Sequence, residues 1–300
     1  MRTAFLGLGA IGAPMAAHVG RRFPPLAVWN RTTSTASSFA EAHGARVAAS
    51  PGDAARGADV VITCLPTSRE VEALLDGDGG LLSGIAEGAM LIDCTSGDPA
   101  SSRRIAARLE ERGIGFLDAP VSGGTSGAAA GTLTVMVGGD AALLERARAV
   151  LDAFAGRIVH CGDVGAGHAV KSVNNALLAV HIWSTAEGLA ALAASGVRAD
   201  VALDVINASS GRSNASENLF PSRVLSGAFP RTFRLALLDK DVGIAAGVAR
   251  DARAPSPLLQ LTAELFRAAH NELGEEADHV EAVRVLERMA GVEIRDGGAS

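Results

Sequence analysis

The chain has 300 residues, enough for one large domain or two ordinary ones with a sizeable core. Its hydrophobic fraction of 48% excludes a disordered chain, and its net charge of −6 argues against electrostatic binding of nucleic acid or anionic membranes. Only two of the 27 basic residues are lysines, Lys171 and Lys240. An ammonium group can lose its proton near neutral pH and a guanidinium cannot, so both lysines are candidates for proton transfer. The alternative is that the low lysine count reflects chance drift in a genome biased toward arginine.

The three cysteines, at positions 64, 94 and 161, are too few and too scattered for a disulfide framework, so a reducing compartment is expected. The apolar N-terminal run resembles a secretory signal peptide, but its spaced glycines and Pro14 argue against one. No uninterrupted apolar stretch has the length needed to span a bilayer. We therefore expect a cytoplasmic protein that binds neither membrane nor nucleic acid.

The first half of the chain alternates short apolar runs with helical patterns, which is typical of a parallel α/β sheet. Strands are predicted over 3–6, 26–29, 59–64, 89–93, 115–117, 132–137 and 157–160. Helices are predicted between them, including 68–75, 100–112 and 141–154.

The second half is helical in pattern. Residues 167–194 are almost continuous helix formers, about 42 Å of helix at 1.5 Å per residue. Further helices are predicted over 200–208, 235–250, 257–273 and 279–289. Glycines around Asp163 mark a hinge, so we predict an α/β domain over residues 1–163 and an all-helical domain over 164–300, joined by a long inter-domain helix. The charge run Glu275, Glu276 and Asp278 is expected to be a solvated loop.

The first predicted strand runs into Gly7-x-Gly9-x-x-Gly12, and a helix follows. A dinucleotide-binding fold needs this arrangement for a tight turn, a close approach of the backbone to the pyrophosphate, and close packing of helix on strand. The helix N-terminus adds N–H groups for the phosphates. The pattern favours a Rossmann-type nucleotide-binding domain over a glycine-rich turn in some other α/β protein.

The second strand ends in Asn30, Arg31 and Thr32, where an NAD site usually places an aspartate or glutamate for the ribose hydroxyls. No acid is present, and Arg31 can form a charge-assisted pair with a 2′-phosphate. The residues therefore predict NADP as cofactor, with NAD as a second option. An ordinary exposed loop arginine is the alternative for Arg31.

Separated motifs follow one another along nearly the whole chain: GLGAIGAPMA, CLPTS, DAPVSGGTSGAAAGTLTVMVGG, GAGHAVKSVNN and LLDKDVG. Together they resemble the β-hydroxyacid dehydrogenase family, the group of 3-hydroxyisobutyrate dehydrogenase, tartronate semialdehyde reductase and glyoxylate/succinic semialdehyde reductase. One departure is visible: the family usually shows Asp-x-Ser-Thr after the fifth strand, and this chain has Asp-Cys-Thr-Ser. The contact to the nicotinamide ribose is therefore open between Thr95 and Ser96.

The resemblance implies Lys171 as the catalytic acid/base. The implied substrate-binding residues are Ser122, Gly123, Gly124, Asn174, Asn175, Phe233 and Asp241. The implied cofactor-binding residues are Gly7, Gly9, Ala10, Ile11, Gly12, Met15, Asn30, Arg31, Thr32, Leu65, Pro66, Thr95, Ser96 and Lys240. The family also implies a homodimer or homotetramer, with the helical domain serving substrate binding and oligomerisation.

The residue types fit this chemistry. Hydride transfer needs a proton donor or acceptor at the alcohol oxygen, and a lysine desolvated in a cleft between domains becomes a usable base. Asn175 lies one helical turn beyond Lys171 on the same face, and backbone N–H groups of 122–124 can form a nest for a carboxylate. The alternatives are a snorkelling lysine for Lys171 and a plain turn for 122–124. For Lys240, the alternative to a cofactor role is a solvated charged face.

The sequence thus predicts an NADP-preferring oxidoreductase that interconverts a small 3-hydroxy acid, or a short ω-hydroxy acid, with its semialdehyde. An imine reductase of the same fold is one alternative, although that group generally lacks both a lysine at position 171 and the Ser-Gly-Gly loop. A non-catalytic NADP-binding module is the other. His160, His168 and His181 lack metal-ligand spacing, so no metal is expected.

Overall fold

The computed structural model describes residues 1–296. Contacts divide the chain into two compact units, Met1–Lys171 and a second unit that begins at Ser172. The division falls inside one long helix, whereas the boundary predicted from the sequence lies at the glycine-rich segment before that helix. The first turn of the helix is hydrogen-bonded to the sheet of the first unit, so it groups with that unit.

The first unit contains a single sheet. Its strands in the described residues are β1 Thr3–Leu6, β2 Ala27–Trp29, β3 Arg46–Val47, β4 Val60–Thr63, β5 Met90–Asp93, β6 Gly115–Asp118, β7 Val121–Ser122, β8 Leu133–Gly138 and β9 Ala155–Gly162. Their order is β3-β2-β1-β4-β5-β6-β8-β7, with β9 paired to β8. The predicted parallel sheet is confirmed for β1 to β6, whereas β8 runs antiparallel to β6 and β7. Strand order reverses between β1 and β4, which is where doubly wound sheets bind ligands.

Helices cover both faces of this sheet: α1 Gly12–Arg22, α2 Thr33–His43, α3 Pro51–Ala55, α4 Ser68–Leu75, α5 Pro99–Glu110, α6 Gly124–Ala130 and α7 Ala141–Leu151. Successive strand residues point to opposite faces, so Val60 and Ile62 join one core and Val61 joins the other. This explains why the central strands read as unbroken apolar runs. Asp98 and Asp140 cap α5 and α7 by accepting backbone N–H groups of the first turn.

The long helix α8 spans Ala166–Ala194, as the sequence predicts from position 167. It is also long and apolar enough, by length and composition alone, to cross a membrane, which corrects the expectation that no stretch qualifies. A core helix of a globular protein passes the same test.

In its described residues, the second unit continues with α9 Ala199–Asn207, a π-helix Ala215–Leu225, α10 Leu235–Asp251, α11 Pro257–Leu273, a 3-10 turn His279–Glu281 and α12 Ala282–Ala290. Phe220, Leu238 and Phe266 are fully buried in its core. The sequence does not predict the π-helix, because Pro221 inside it argues against any helix. The Rossmann-type domain followed by a helical domain is confirmed.

Candidate active site

The three glycines of the first loop occupy three different environments. Gly7 has a φ of +100°, and a Cβ there would collide with the carbonyl oxygen of Cys64. A Cβ on Gly12 would collide with the carbonyl oxygen of Gly7, so Gly12 allows the close packing of helix on strand. A Cβ on Gly9 would meet no described atom within 4 Å, which leaves this side of the loop open to a ligand.

The N-terminus of α1 suits an anion. Its first turn contains no acidic residue, and Ile11 at the N-cap provides no side-chain cap. The N–H groups and the positive end of the helix dipole are therefore directed at whatever lies against the loop. Both features fit the pyrophosphate of a dinucleotide. Among the neighbouring predicted contacts, Ala10 is exposed, whereas the side chain of Met15 is fully buried in the core.

Asn30 ties the end of β2 to the glycine loop. Its Oδ1 accepts the backbone N–H of Leu8 at 3.0 Å, and its Nδ2 donates to the carbonyl oxygen of Thr32 at 3.1 Å. Arg31 and Thr32 are exposed beside it. The structure therefore places a cation, with no carboxylate at positions 30–32, next to the loop that fits the pyrophosphate.

The loops after β4 and β5 are joined by a side-chain hydrogen bond. The backbone N–H of Leu65 donates to Oγ1 of Thr95 at 3.1 Å, and Thr95 is only 1% exposed. Ser96 is half-buried and Pro66 is exposed. The Thr95 hydroxyl is thus engaged in holding the two loops together, and Ser96 is the more accessible of the two hydroxyl residues.

The segment predicted to bind the substrate carboxylate turns sharply at two consecutive glycines. Ser122 ends β7, and Gly123 and Gly124 follow with φ values of +136° and +64°. Side chains other than glycine are strained in this region. The two glycines are exposed, and a Cβ on Gly124 would meet no described atom within 4 Å.

The start of α8 is capped by a carboxylate from the sheet. Oδ1 of Asp118, at the end of β6, accepts the backbone N–H of Gly165 at 2.6 Å, and Oδ2 accepts that of His168 at 2.8 Å. Burial raises the pKa of Asp118, and the imidazole of His168 and the two N–H bonds offset only part of that effect. Lys171, 9% exposed, lies in the second turn of the helix that Asp118 caps. Asp118 opens the predicted substrate motif, but its role as a helix cap is not predicted from the sequence.

Four predicted residues of the second unit are linked by two hydrogen bonds and one ion pair. Nδ2 of Asn174 donates to Oδ1 of Asn175 at 3.2 Å, and Nδ2 of Asn175 donates to Oδ2 of Asp241 at 2.6 Å. Nζ of Lys240 lies 3.0 Å from Oδ1 of Asp241, which is 2% exposed. The fold therefore brings together two motifs that are 66 positions apart in the sequence.

Phe233 is held by a separate anchor, Asp278. Oδ2 of Asp278 accepts the backbone N–H groups of Thr232 at 2.8 Å and Phe233 at 3.0 Å. The ring of Phe233 packs on the imidazole of His279, with centroids 5.4 Å apart. The expectation of a solvated loop is therefore wrong for Asp278, which is 1% exposed, because a buried turn needs its carboxylate as an acceptor.

Burial would raise the pKa of Asp278. The hydrogen bond from His279 and the N–H groups of Phe233 and Thr232 outweigh burial and hold this pKa well below its usual range. Asp278 is thus a carboxylate saturated with donors. His279 and Val280 donate from beside it in the sequence, whereas the N–H groups of Thr232 and Phe233 come from about 45 positions away and carry no local signal.

Two sequence families match consecutive parts of the chain. Residues 2–162 match the family described as the NAD binding domain of 6-phosphogluconate dehydrogenase. Residues 165–286 match the family described as NAD-binding of NADP-dependent 3-hydroxyisobutyrate dehydrogenase. The glycine loop, Arg31 and Ser122 fall in the first match, and Lys171 and Asn175 in the second.

Individual relatives cover almost the whole chain. The NAD-dependent L-serine dehydrogenase of Pseudomonas aeruginosa is 43% identical over 274 residues, which is 88% of this chain and 90% of that protein. The 2-(hydroxymethyl)glutarate dehydrogenase of Eubacterium barkeri is 35% identical over 298 residues, 99% of this chain and 98% of that protein. The Mycobacterium tuberculosis 3-hydroxyisobutyrate dehydrogenase solved with L-serine has a TM-score of 0.86 at 34% identity, covering 95% of this chain and 99% of that one.

Fold, glycine loop and relatives together define a nicotinamide-dependent oxidoreductase. The chain belongs to the β-hydroxyacid dehydrogenase family, as its motifs predict. It is an NAD(P)-dependent dehydrogenase of the 3-hydroxyisobutyrate dehydrogenase type.

Proposed function

We propose that this protein interconverts a small 3-hydroxy acid, or a short ω-hydroxy acid, with its semialdehyde, using Lys171 as general acid/base and NADP as the preferred cofactor. The observation that carries the proposal is the arrangement on α8. Lys171 lies one helical turn before Asn175, and Asp241 fixes the amide of Asn175 at 2.6 Å. A proton-transfer group and an oriented polar group thus face the same side of one helix.

Lys171 has the role of moving one proton. In the oxidation direction, the hydroxyl proton of the substrate passes to the ε-amine of Lys171 while the carbon bearing that hydroxyl loses a hydride. The nicotinamide cofactor, when bound, accepts that hydride. The two transfers together convert the alcohol to a carbonyl, and the reverse direction uses protonated Lys171 as the acid.

The remaining residues position the substrate and the cofactor. Ser122, Gly123 and Gly124 are proposed to bind the substrate carboxylate through backbone N–H groups, which an exposed turn of positive φ can direct at one anion. Phe233 would supply an apolar wall for the carbon chain. For the nicotinamide ribose we favour Ser96, because it is half-buried whereas Thr95 is only 1% exposed.

Arg31 supports the preference for NADP. Its guanidinium is exposed at the end of β2, where a carboxylate would repel a 2′-phosphate and none is present. The names of the relatives point both ways, since one is NAD-dependent and one matching family is NADP-dependent. The substitution Arg31→Asp is expected to lower the ratio of kcat/KM with NADP to kcat/KM with NAD by about tenfold or more. If this ratio does not change, Arg31 does not select the cofactor.

Association of identical subunits is proposed from the exposed apolar side chains of the helical unit. Those exposed by 47% or more are Leu177, Val201, Val205, Leu258, Leu261 and Met289. A second copy of the chain that covered these side chains would remove their apolar surface from water. A light-scattering mass of two or four times the 30.4 kDa chain supports a homodimer or homotetramer, and a mass of one chain contradicts it. We place the protein in the cytoplasm.

A substrate panel tests the reaction itself. The panel contains 3-hydroxyisobutyrate, serine, glycerate, 4-hydroxybutyrate and the matching semialdehydes, each with NADP(H) and NAD(H). The proposal expects turnover with at least one carboxylate-bearing pair and none with the corresponding methyl esters, which lack the anion. Turnover of an imine but of no member of the panel would contradict it.

A further inference from the structure

A buried polar cluster lies at the carboxyl edge of the sheet, beneath the start of α8. Thr63, Asp93 and Asp118 end the neighbouring strands β4, β5 and β6 in register with one another. Their side chains are fully buried, as are those of Ser102 on α5 and His168 on α8. Buried polar groups are costly unless they are hydrogen-bonded, so each contact in this cluster counts.

His168 is the member that touches most of the others. Its Nδ1 lies 2.6 Å from Oγ of Ser102, and that hydroxyl also donates to the carbonyl oxygen of Asp98 at 3.1 Å. Since a hydroxyl has a single hydrogen, we assign the proton to Nδ1, which then donates to Ser102. Nε2 lies 4.0 Å from Oδ2 of Asp93. These two atoms have no hydrogen-bond partner among the residues that the structure describes.

The imidazole of His168 also lies against the loop that follows β5. A Cβ on Gly97 would be 2.6 Å from Cε1 of His168 and 2.5 Å from Oγ of Ser68, so only glycine fits there. The start of this loop is fixed by Asp93, whose Oδ1 accepts the backbone N–H of Thr95 at 3.0 Å. The imidazole thus packs against Gly97, which directly follows Ser96, the residue favoured for the nicotinamide ribose.

The same imidazole belongs to the first turn of the catalytic helix. His168 precedes Lys171 by three residues, so the two side chains are neighbours on one face of α8. Asp118 fixes the backbone of this turn, and Ser102 fixes its side chain. His168 is therefore in contact with the loop that carries Ser96 and lies on the turn that leads to Lys171.

We propose that His168 is a positioning residue, which sets the placement of Lys171 relative to the loop at Ser96. This inference rests on the proposed function, because it assigns those two residues their roles. Hydride and proton must leave one substrate carbon and its oxygen together, so a displacement of about 1 Å between the two segments can cost about a hundredfold in rate. A purely structural His168 would affect stability and leave the chemistry of Lys171 unchanged.

Two substitutions remove the hydrogen bond between His168 and Ser102, and two serve as controls. His168→Leu removes both ring nitrogens, and Ser102→Ala removes the partner of Nδ1 while leaving the imidazole. His168→Asn keeps an amide group that can donate to Ser102 in place of Nδ1. Ser101→Ala is the matched control, since Ser101 is the buried neighbour whose hydroxyl accepts from Arg104 rather than from His168.

The two lysines of the chain supply a readout that needs no substrate. Acetic anhydride labels Lys171 and Lys240 in the full-length protein, and mass spectrometry gives the ratio of their labelling rates from pH 6 to pH 10. Lys240 acts as the internal reference. We expect His168→Leu and Ser102→Ala to change this ratio by about threefold or more, because amine reactivity follows the local environment. His168→Asn and Ser101→Ala should stay within about twofold of the parent protein.

Turnover on the substrate panel is the second readout. His168→Leu and Ser102→Ala are expected to lower kcat by about 10- to 100-fold with KM for the cofactor within about threefold, and His168→Asn to restore most of the loss. If the ratio of Lys171 to Lys240 labelling is unchanged in both His168→Leu and Ser102→Ala, whatever their melting temperatures, His168 does not position Lys171. If the parent protein turns over no member of the panel and the labelling ratio still shifts, the positioning of Lys171 holds and the proposed reaction fails.

Discussion

In each unit a buried aspartate holds a segment that carries candidate site residues, and the pKa values of these two aspartates, Asp118 and Asp278, shift in opposite directions. In the sheet unit, Asp118 holds the start of α8 through two backbone N–H groups, with Asp93 beside it on the next strand. In the helical unit, Asp278 holds the segment at Phe233 through backbone N–H groups, a hydroxyl and His279. Burial raises the pKa of Asp118, whereas the donors around Asp278 lower its pKa.

The difference separates two uses of buried charge. The donors around Asp278 offset the free-energy cost of its desolvation, so its carboxylate stabilises the fold and stays ionised near neutral pH. The carboxyl edge of the sheet keeps polar atoms incompletely partnered, Oδ2 of Asp93 and Nε2 of His168 among the described residues. Buried polar atoms without hydrogen-bond partners lower the stability of the fold, and they are typical of functional sites.

The largest effect on stability is expected from Asp278→Ala. This change leaves the N–H groups of Thr232 and Phe233 and the side chain of His279 without their acceptor. We expect the free energy of unfolding to fall by about 3–5 kcal/mol, as measured by urea denaturation. The control is Glu276→Gln, which removes an exposed ion pair with Arg231 and should leave the unfolding midpoint unchanged. Equal free energies of unfolding for Asp278→Ala and Glu276→Gln would show that Asp278 does not stabilise the fold.

The pH dependence of stability should carry opposite signs for the two aspartates. Because the pKa of Asp278 is lowered on folding, the unfolded chain binds its proton more readily, and its stabilisation is lost as pH falls below about 4. Because the pKa of Asp118 is raised on folding, the folded chain keeps its proton longer, and stability falls as pH rises above about 4.

Melting temperatures from pH 3 to pH 7 measure both slopes. Asp278→Asn should flatten the loss on the acid side, and Asp118→Asn should flatten the decline on the neutral side. Each variant also changes a hydrogen bond and therefore shifts the melting temperature at every pH. The comparison therefore uses only the slope of melting temperature against pH. Slopes of the same sign for both aspartates would contradict their opposite pKa shifts.

The smallest effect concerns the thiols that follow β4 and β5. Burial raises the pKa of Cys64 to about 12 and that of Cys94 well above the ordinary thiol value, so neither supplies a thiolate at pH 8. Cys64 and Cys161 are both half-buried and Cys94 is buried, and burial also raises the pKa of Cys161. Iodoacetamide is expected to label Cys161 at least about tenfold faster than the other two in the native protein. Equal rates would mean that the edge of the sheet is less desolvated than the structure indicates.

Much of the fold follows from sequence patterns. The apolar runs at β1, β4 and β5 and the helix formers of α8 and α11 predict those elements to within a residue or two, because burial on both faces leaves no alternation. The two-residue strands Arg46–Val47 and Val121–Ser122 are too short for periodicity to register. Antiparallel pairing of β8 depends on tertiary contacts that no local pattern encodes.

The candidate site divides in the same way. The glycine loop, Arg31 and Lys171 stand out because their chemistry depends on residue type at fixed local spacing. The roles of Asp118 and His168 do not, nor does the contact of Asp278 with Phe233, because these partners lie about 45 to 66 positions away. A histidine with no ligand spacing and an aspartate in a charge run carry no local signal, and only the fold shows that both are buried and hydrogen-bonded.

The most direct test of the account is the turnover of Lys171→Arg on the best substrate of the panel. Arginine keeps the charge but cannot release a proton near neutral pH, so kcat is expected to fall by about 10²- to 10⁴-fold while the melting temperature stays within about 2 °C. The matched change Lys240→Arg, which can keep an ion pair with Asp241, should lower kcat by less than about tenfold. Near-normal turnover in Lys171→Arg would contradict the assignment of Lys171 as the general acid/base.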